Sequence, residues 1–290
     1  MHPVSNLNQM TTILVPTDFS EIARNAGHYA LQLAPAVQAS KIIFYNAYQA
    51  PPVLTENAMP AMPIMDIETI KDISEQGMRV FFEKMKETAP PGVELEHKSG
   101  FSILANDIED LCKETSADLI VMGITGTSKI EEVLIGSTAI SVMKQTKVPV
   151  IIVPGDAKYT EIKDVMLACD FKKVLETTPV QPIKSILDVT KAALHVVHVY
   201  EGDSAPTAEK NSQQKLLQSL FADYHPVFHF EHNDDFIEGI NHFVETNEID
   251  LIITIPRKHK LFEGLFKERH TKKLAFHSHV PLMYVHQEDL

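Results

Sequence analysis

The 290-residue chain has no tryptophan and only two cysteines, Cys112 and Cys169. Two thiols cannot make a disulfide framework or a four-thiolate metal site, and the count fits a cytosolic protein. Cations are also scarce: 26 Lys and Arg face 39 Asp and Glu, for a net charge of -13. Cutting the chain at Pro154 leaves -7 on the first part and -6 on the second, so the acidity is not a tail. A nucleic-acid partner needs clustered cations to neutralise phosphate, and a uniformly acidic chain excludes a whole-surface binder of that kind. No apolar run reaches bilayer-spanning length, and Met1–Met10 lacks both a basic and an apolar region, so neither a membrane association nor a signal peptide is expected. The first strand is not followed by G-x-G-x-x-G, and G-x-x-x-x-G-K-[ST] is absent, which argues against dinucleotide dehydrogenases and phosphate-loop NTPases.

What the chain does contain is a repeat of itself. Ile13-Leu14-Val15-Pro16-Thr17-Asp18-Phe19 recurs 152 residues later as Val165-Met166-Leu167-Ala168-Cys169-Asp170-Phe171. Ala117-Asp118-Leu119-Ile120-Val121 recurs at an offset of 132 as Ile249-Asp250-Leu251-Ile252-Ile253. Val148–Val153 recurs at the same offset as Val280–Val285. The fall in offset puts about 20 extra residues in the first half, which includes the proline-rich stretch Gln49–Ile64. Domains of 1–154 and 155–290 are expected, joined by the short polar linker Gly155–Lys163.

Each half alternates strand and helix. In the first, strands are expected near 12–16, 42–47, 93–98, 118–123 and 148–153, with helices near 20–37, 66–88, 102–115 and 137–146. The third strand alternates and suits an edge, whereas the fourth and fifth are almost wholly apolar, as buried parallel strands are. This pattern predicts an α/β fold, doubly wound, with a parallel sheet and helices on both faces. Ser20 and Asp66 are placed to cap the first two helices, and Pro35 falls late in the first.

In open sheets of this type ligands bind beyond the carboxyl ends of the strands. Asp18 ends the first strand and Gly123 the fourth, and Gly123, Gly126, Gly136 and Ser137 form the spacing G-x2-G-x9-G-S. Gly123 and Gly126 permit close approach of backbone to a ligand, or positive φ. Gly136-Ser137-Thr138 opens a helix whose free N–H groups suit phosphate, aided by the Ser137 and Thr138 hydroxyls. Asp18 is placed to accept from ribose hydroxyls or a base amine. The alternative is that the glycines serve only as turns, but the full spacing combined with Asp18 favours a nucleotide.

These residues resemble the universal stress protein family in its tandem form, over about 12–154 and 163–286. Ile13 to Ser20, including Pro16, Thr17 and Asp18, looks like the family's first-strand signature, and Val121-Met122-Gly123 through Gly136-Ser137-Thr138 is similar to the motif of its ATP-binding branch. The resemblance implies two tandem doubly wound domains, each a five-stranded parallel sheet of order 3-2-1-4-5. It implies ATP or AMP, with or without Mg²⁺, held by Thr17 and Asp18, by the backbone at Ala47, by Met122, Gly123 and Gly126 around base and ribose, and by Gly136, Ser137 and Thr138 at the phosphates. It also implies that the two last strands pair as an internal pseudo-dimer, leaves a homodimer of chains and a protein partner open, and makes a regulatory stress-response role the first expectation. A non-binding scaffold and a slow ATP hydrolase are the alternatives. Many members carry His or Arg inside the loop; this chain has Ile124-Thr125, and no general base is evident there.

The second half departs from the motif. By the 132 offset, Gly123, Gly126, Gly136 and Ser137 become Ile255, Lys258, Glu268 and Arg269, so a lost or altered site is expected there. Seven basic residues between Arg257 and Lys273 read as a solvated face in preference to an anion site. Eleven of the 14 histidines follow residue 190, but His195 and His198 should face opposite sides of a strand and no carboxylate completes a ligand spacing, so no metal is expected.

Overall fold

The computed structural model describes residues 10–49, 66–124, 137–200, 208–255 and 279–286. Ten strands form one sheet in the order β3-β2-β1-β4-β5-β10-β9-β6-β7-β8. The first five are β1 (Thr12–Pro16), β2 (Lys41–Tyr48), β3 (Glu94–Phe101), β4 (Leu119–Gly123) and β5 (Val150–Val153), in the order 3-2-1-4-5 and parallel throughout. The other five are β6 (Asp164–Ala168), β7 (Ala193–Tyr200), β8 (Val227–His232), β9 (Leu251–Thr254) and β10 (Leu282–Tyr284), with the same order and sense. The two sets are not separate sheets: β5 and β10 pair antiparallel through Ile151 and Met283.

Alternation along β1 explains the layering. Ile13 and Val15 point to one apolar cluster, with α1 (Glu21–Ala36) and α2 (Ile67–Lys86) packed on it; Leu14 points to the other, covered by α3 (Leu104–Thr115) and α4 (Ser137–Gln145). In the second half α5 (Val174–Thr177), α6 (Val180–Thr190) and α7 (Ala208–Leu220) lie on the first cluster, and α8 (Phe236–Thr246) on the second. Both clusters run through the two halves without a break at the β5–β10 seam.

Local chemistry sets the helix ends. Ser20 accepts from the Ala23 N–H at 3.1 Å and Asp66 from the Thr69 N–H at 2.7 Å, so both caps form. Pro35 lies in the last turn of α1, where the helix is about to end. Each half also has a carboxylate tying the fourth strand to the first. Asp118 Oδ2 accepts from the Thr11 and Thr12 N–H groups at 2.9 and 3.1 Å, and Asp250 Oδ2 from those of Lys163 and Asp164 at 2.8 and 3.0 Å.

The turn after the first strand is repeated as well. Asp18 Oδ1 accepts from the Ser20 N–H at 3.0 Å, and Asp170 Oδ1 from the Lys172 N–H at the same distance. Between them Phe19 and Phe171 take φ of 67° and 52°, a left-handed conformation that costs a bulky residue energy. Thr17 Oγ1 supports the first turn by accepting from the Phe19 N–H, and Cys169 Sγ does the same for Phe171.

The halves then diverge. After β1 the chain enters a single 16-residue helix, whereas after β6 it forms the four-residue α5, breaks at Thr178-Pro179, and starts again as α6. A physical reason lies at the end of the fourth strand. A Cβ on Gly123 would stand 2.6 Å from Ile22 Cγ2 and 2.8 Å from the Ile22 carbonyl oxygen, so α1 approaches that closely because Gly123 has no side chain. The second half has Ile255 there, buried in the same cluster as Val174, the counterpart of Ile22.

Candidate functional site

At the carboxyl ends of β1, β2 and β4 lies a cleft of about 610 Å³. Pro16, Thr17, Asp18, Ala47, Met122, Gly123, Ser137 and Thr138 all line it. Eight of the ten sequence-predicted positions are thus brought together from four elements and the β1–α1 turn. Gly126 and Gly136 lie outside the described residues, as do the proline-rich stretch from Ala50 to Met65 and the basic residues from Arg257 to Lys273.

The floor is held in place from behind. Thr17 is buried, its N–H donates to the Tyr45 carbonyl at 2.8 Å, and its own carbonyl accepts from Asn46 Nδ2 at 2.7 Å. Asn46 Oδ1 in turn accepts from Ser74 Oγ of α2 at 2.6 Å. The end of β1 is therefore fixed by β2 on one side and by a helix beneath. Thr17 Oγ1 is engaged as an acceptor from Phe19, which leaves its O–H to donate. Asp18 is exposed and borders the cleft, with Oδ1 committed to the turn.

Ala47 falls inside β2, opposite Gly100, and not beyond the strand's end. Ser137 and Thr138 are exposed at the start of α4, where the first N–H groups of a helix have no intrahelical acceptor. Gly123 is not at positive φ; its missing side chain makes room for α1, a structural role that the spacing alone did not reveal.

The remaining wall was missed by sequence reasoning. β3 runs to Phe101, three residues further than its alternation predicts, and the turn after it brings Ser102 and Ile103 to the cleft, with Asn106 from the first turn of α3. Tyr45 Oη lies 2.9 Å from Ser102 Oγ and joins this wall to β2. A Cβ at Gly100 would collide with the Tyr45 hydroxyl, so the glycine at the end of β3 was the available signal. Among the described lining residues Asp18 is the one ionic side chain; the others offer hydroxyls, amides, backbone and apolar surface.

Cys112 does not suit nucleophilic chemistry here. Cys112 is buried in the cluster under α3, and burial pushes its thiol up to about 11. Among the described residues no group of three or more His, Cys, Asp or Glu has metal-holding geometry. His195 and His198 do face opposite sides of β7: His195 Nε2 meets Asp164 Oδ1 at 2.9 Å and its Nδ1 meets His229 Nε2 at 3.0 Å, while His198 lies against Phe171. No described helix is long and apolar enough to cross a membrane.

A mostly parallel doubly wound sheet with a cleft at its strand ends, bordered by an Asp-Phe turn and a helix N-terminus, defines an α/β protein of the open-sheet class. Comparison narrows that class. The universal stress protein family model matches residues 10–154. A universal stress protein of Methanocaldococcus jannaschii is 30% identical over 154 residues, covering 52% of this chain and 86% of that protein. One of Bacillus subtilis is 28% identical over 145 residues, 49% of this chain and 97% of that protein. The crystal structure of a universal stress protein from Archaeoglobus fulgidus aligns over 98% of this chain and 99% of that one, with a TM-score of 0.67 and 21% identity. The chain belongs to the universal stress protein family.

Proposed function

We propose that this protein is an adenine-nucleotide-binding, cytoplasmic stress-response regulator that holds one ATP or AMP in its first half. The observation that supports this most is the convergence of Thr17, Asp18, Ala47, Met122, Gly123, Ser137 and Thr138 on one cleft. Asp18 Oδ2 accepts from ribose hydroxyls, Met122 and Ala47 contact the base, and α4 turns its free N–H groups and the Ser137 and Thr138 hydroxyls to phosphate. Gly126 joins Met122 and Gly123 around base and ribose, and Gly136 joins Ser137 and Thr138 at the phosphates. The described lining supplies no cationic side chain, and the nucleotide is held with or without Mg²⁺. The protein acts by binding, and no step of catalysis is assigned to it.

In this reading the chain is a tandem duplication with domains 1–154 and 155–290. The second domain keeps the Asp-Phe turn but not the glycines, and it binds no nucleotide. The β5–β10 pairing is the seam of an internal pseudo-dimer, and the partner that receives the signal is another protein. Asp18→Ala removes a charge-assisted hydrogen bond of about 1.5–3 kcal/mol, so ATP affinity should fall by about one to two orders of magnitude in a calorimetric titration. Unchanged affinity in that variant would overturn the assigned pose.

A further inference from the structure

The polar support beneath Thr17 has a counterpart in the second half, built from different chemistry. By the 152 offset Asn46 corresponds to His198, and Thr17 to Cys169. His198 Nδ1 lies 2.8 Å from the Cys169 carbonyl oxygen, just as Asn46 Nδ2 lies 2.7 Å from that of Thr17. Where Ser74 of α2 reaches Asn46, Lys210 of α7 reaches His198, with Nζ 3.0 Å from Nε2. A carbonyl only accepts and an ammonium only donates, so these two contacts together fix His198 as the neutral Nδ1–H tautomer. Nδ1–H donates to Cys169, and the bare Nε2 accepts from Lys210.

Asn46 and Ser74 keep their hydrogen bonds at any physiological pH. His198 cannot: a proton on Nε2 removes the acceptor that Lys210 uses and sets two cations at hydrogen-bonding distance. We infer that His198 and Lys210 form an acid-sensitive latch that docks α7 at neutral pH and releases it on acidification, in the second half alone.

Among the described residues, the charges that act on His198 are cations. Lys210 faces it from α7 and Lys172 from the turn after β6, while Phe171 and Phe230 flank the ring from β6's turn and from β8. Asp170, the carboxylate next to Cys169 in sequence, is buried and accepts from the Lys172 N–H. Burial first, then Lys210 and Lys172, hold the imidazole below its ordinary 6.5, against the Cys169 hydrogen bond, which acts the other way. The unfolded or undocked state, with the ordinary value, takes up its proton first as pH falls. Docking is therefore fully supported above about 6.5 and weakens as pH drops from there towards the lowered value.

α7 is the helix on which such a loss would tell. It buries Leu217 alone, with Leu216 and Leu220 partly covered, and a further anchor is Gln213, whose Oε1 accepts from the Val174 N–H at 2.8 Å. α2, its counterpart, buries Ser74, Met78, Phe81, Phe82 and Met85. Removing one polar anchor from α7 takes a larger share of what holds it.

Hydrogen exchange on the full chain between pH 7.5 and 5, corrected for intrinsic rates, tests this with α2 as the internal reference. Protection of residues 208–220 should fall severalfold more than that of residues 67–86. The paired substitution His198→Asn with Lys210→Ser rebuilds the first-half network and should make α7 protection independent of pH. If that pair fails to fold, Lys210→Ser alone should give lower protection already at pH 7.5 and a smaller fall on acidification, the burial of His198 being retained. Equal pH dependence of α7 and α2 in the unaltered chain, a pH response that persists in the folded paired variant, or an undiminished one in Lys210→Ser, would overturn the inference.

Discussion

Gly123 has a structural role beside the one its spacing suggests. From the sequence it belongs to a glycine spacing of the kind that lets backbone approach a ligand. In the structure it also lets the start of α1 rest against the end of β4, with no room for a Cβ beside the Ile22 carbonyl. Gly123→Ala should therefore destabilise the chain by about 1–3 kcal/mol, the range for overpacking. Urea denaturation measures this, and an unchanged midpoint would show that α1 moves aside freely. Loss of ligand binding in such a variant would not by itself report a ligand contact. Asp18 is the better probe, because its side chain is exposed and a truncation there opens no cavity.

At the scale of elements, the strand ends are set by carboxylates as much as by hydrophobic patterning. Asp118 and Asp250 each satisfy two backbone N–H groups at the start of a first strand, and Asp118 also accepts from Thr11 Oγ1 at 2.8 Å. Asp118→Ala leaves those donors to water or unpaired and should cost about 1–3 kcal/mol, and Asp250→Ala a similar amount. Thermal unfolding of the two variants checks this, and two values near zero would mean that water replaces the carboxylate without loss. Strand periodicity, the caps at Ser20 and Asp66 and the repeated Asp-Phe turn were legible in the sequence because each is a short-range pattern. The wall formed by Ser102, Ile103 and Asn106 was not, because it depends on the β2–β3 register that sets Tyr45 beside Ser102. The exchange of Asn46 and Ser74 for His198 and Lys210 was hidden for the same reason: the partners meet only across a strand and a helix.

At the scale of the molecule, two copies of one topology share a single ten-stranded sheet whose apolar clusters continue from one half into the other. The seam was anticipated through the family resemblance, but its antiparallel register, Ile151 opposite Met283, required the structure. The halves are equal in architecture and unequal in detail. One has an unbroken α1 seated on Gly123 and a cleft at its strand ends, and the other has a broken helix beside Ile255. That inequality bears directly on how many nucleotides one chain holds. Native mass spectrometry of the full chain titrated with Mg²⁺ and ATP counts them: one bound ATP per chain is expected, with Asp18→Ala needing about ten- to a hundredfold more ATP to reach it, whereas none at saturating ATP, or two, would contradict a single nucleotide site in the first half.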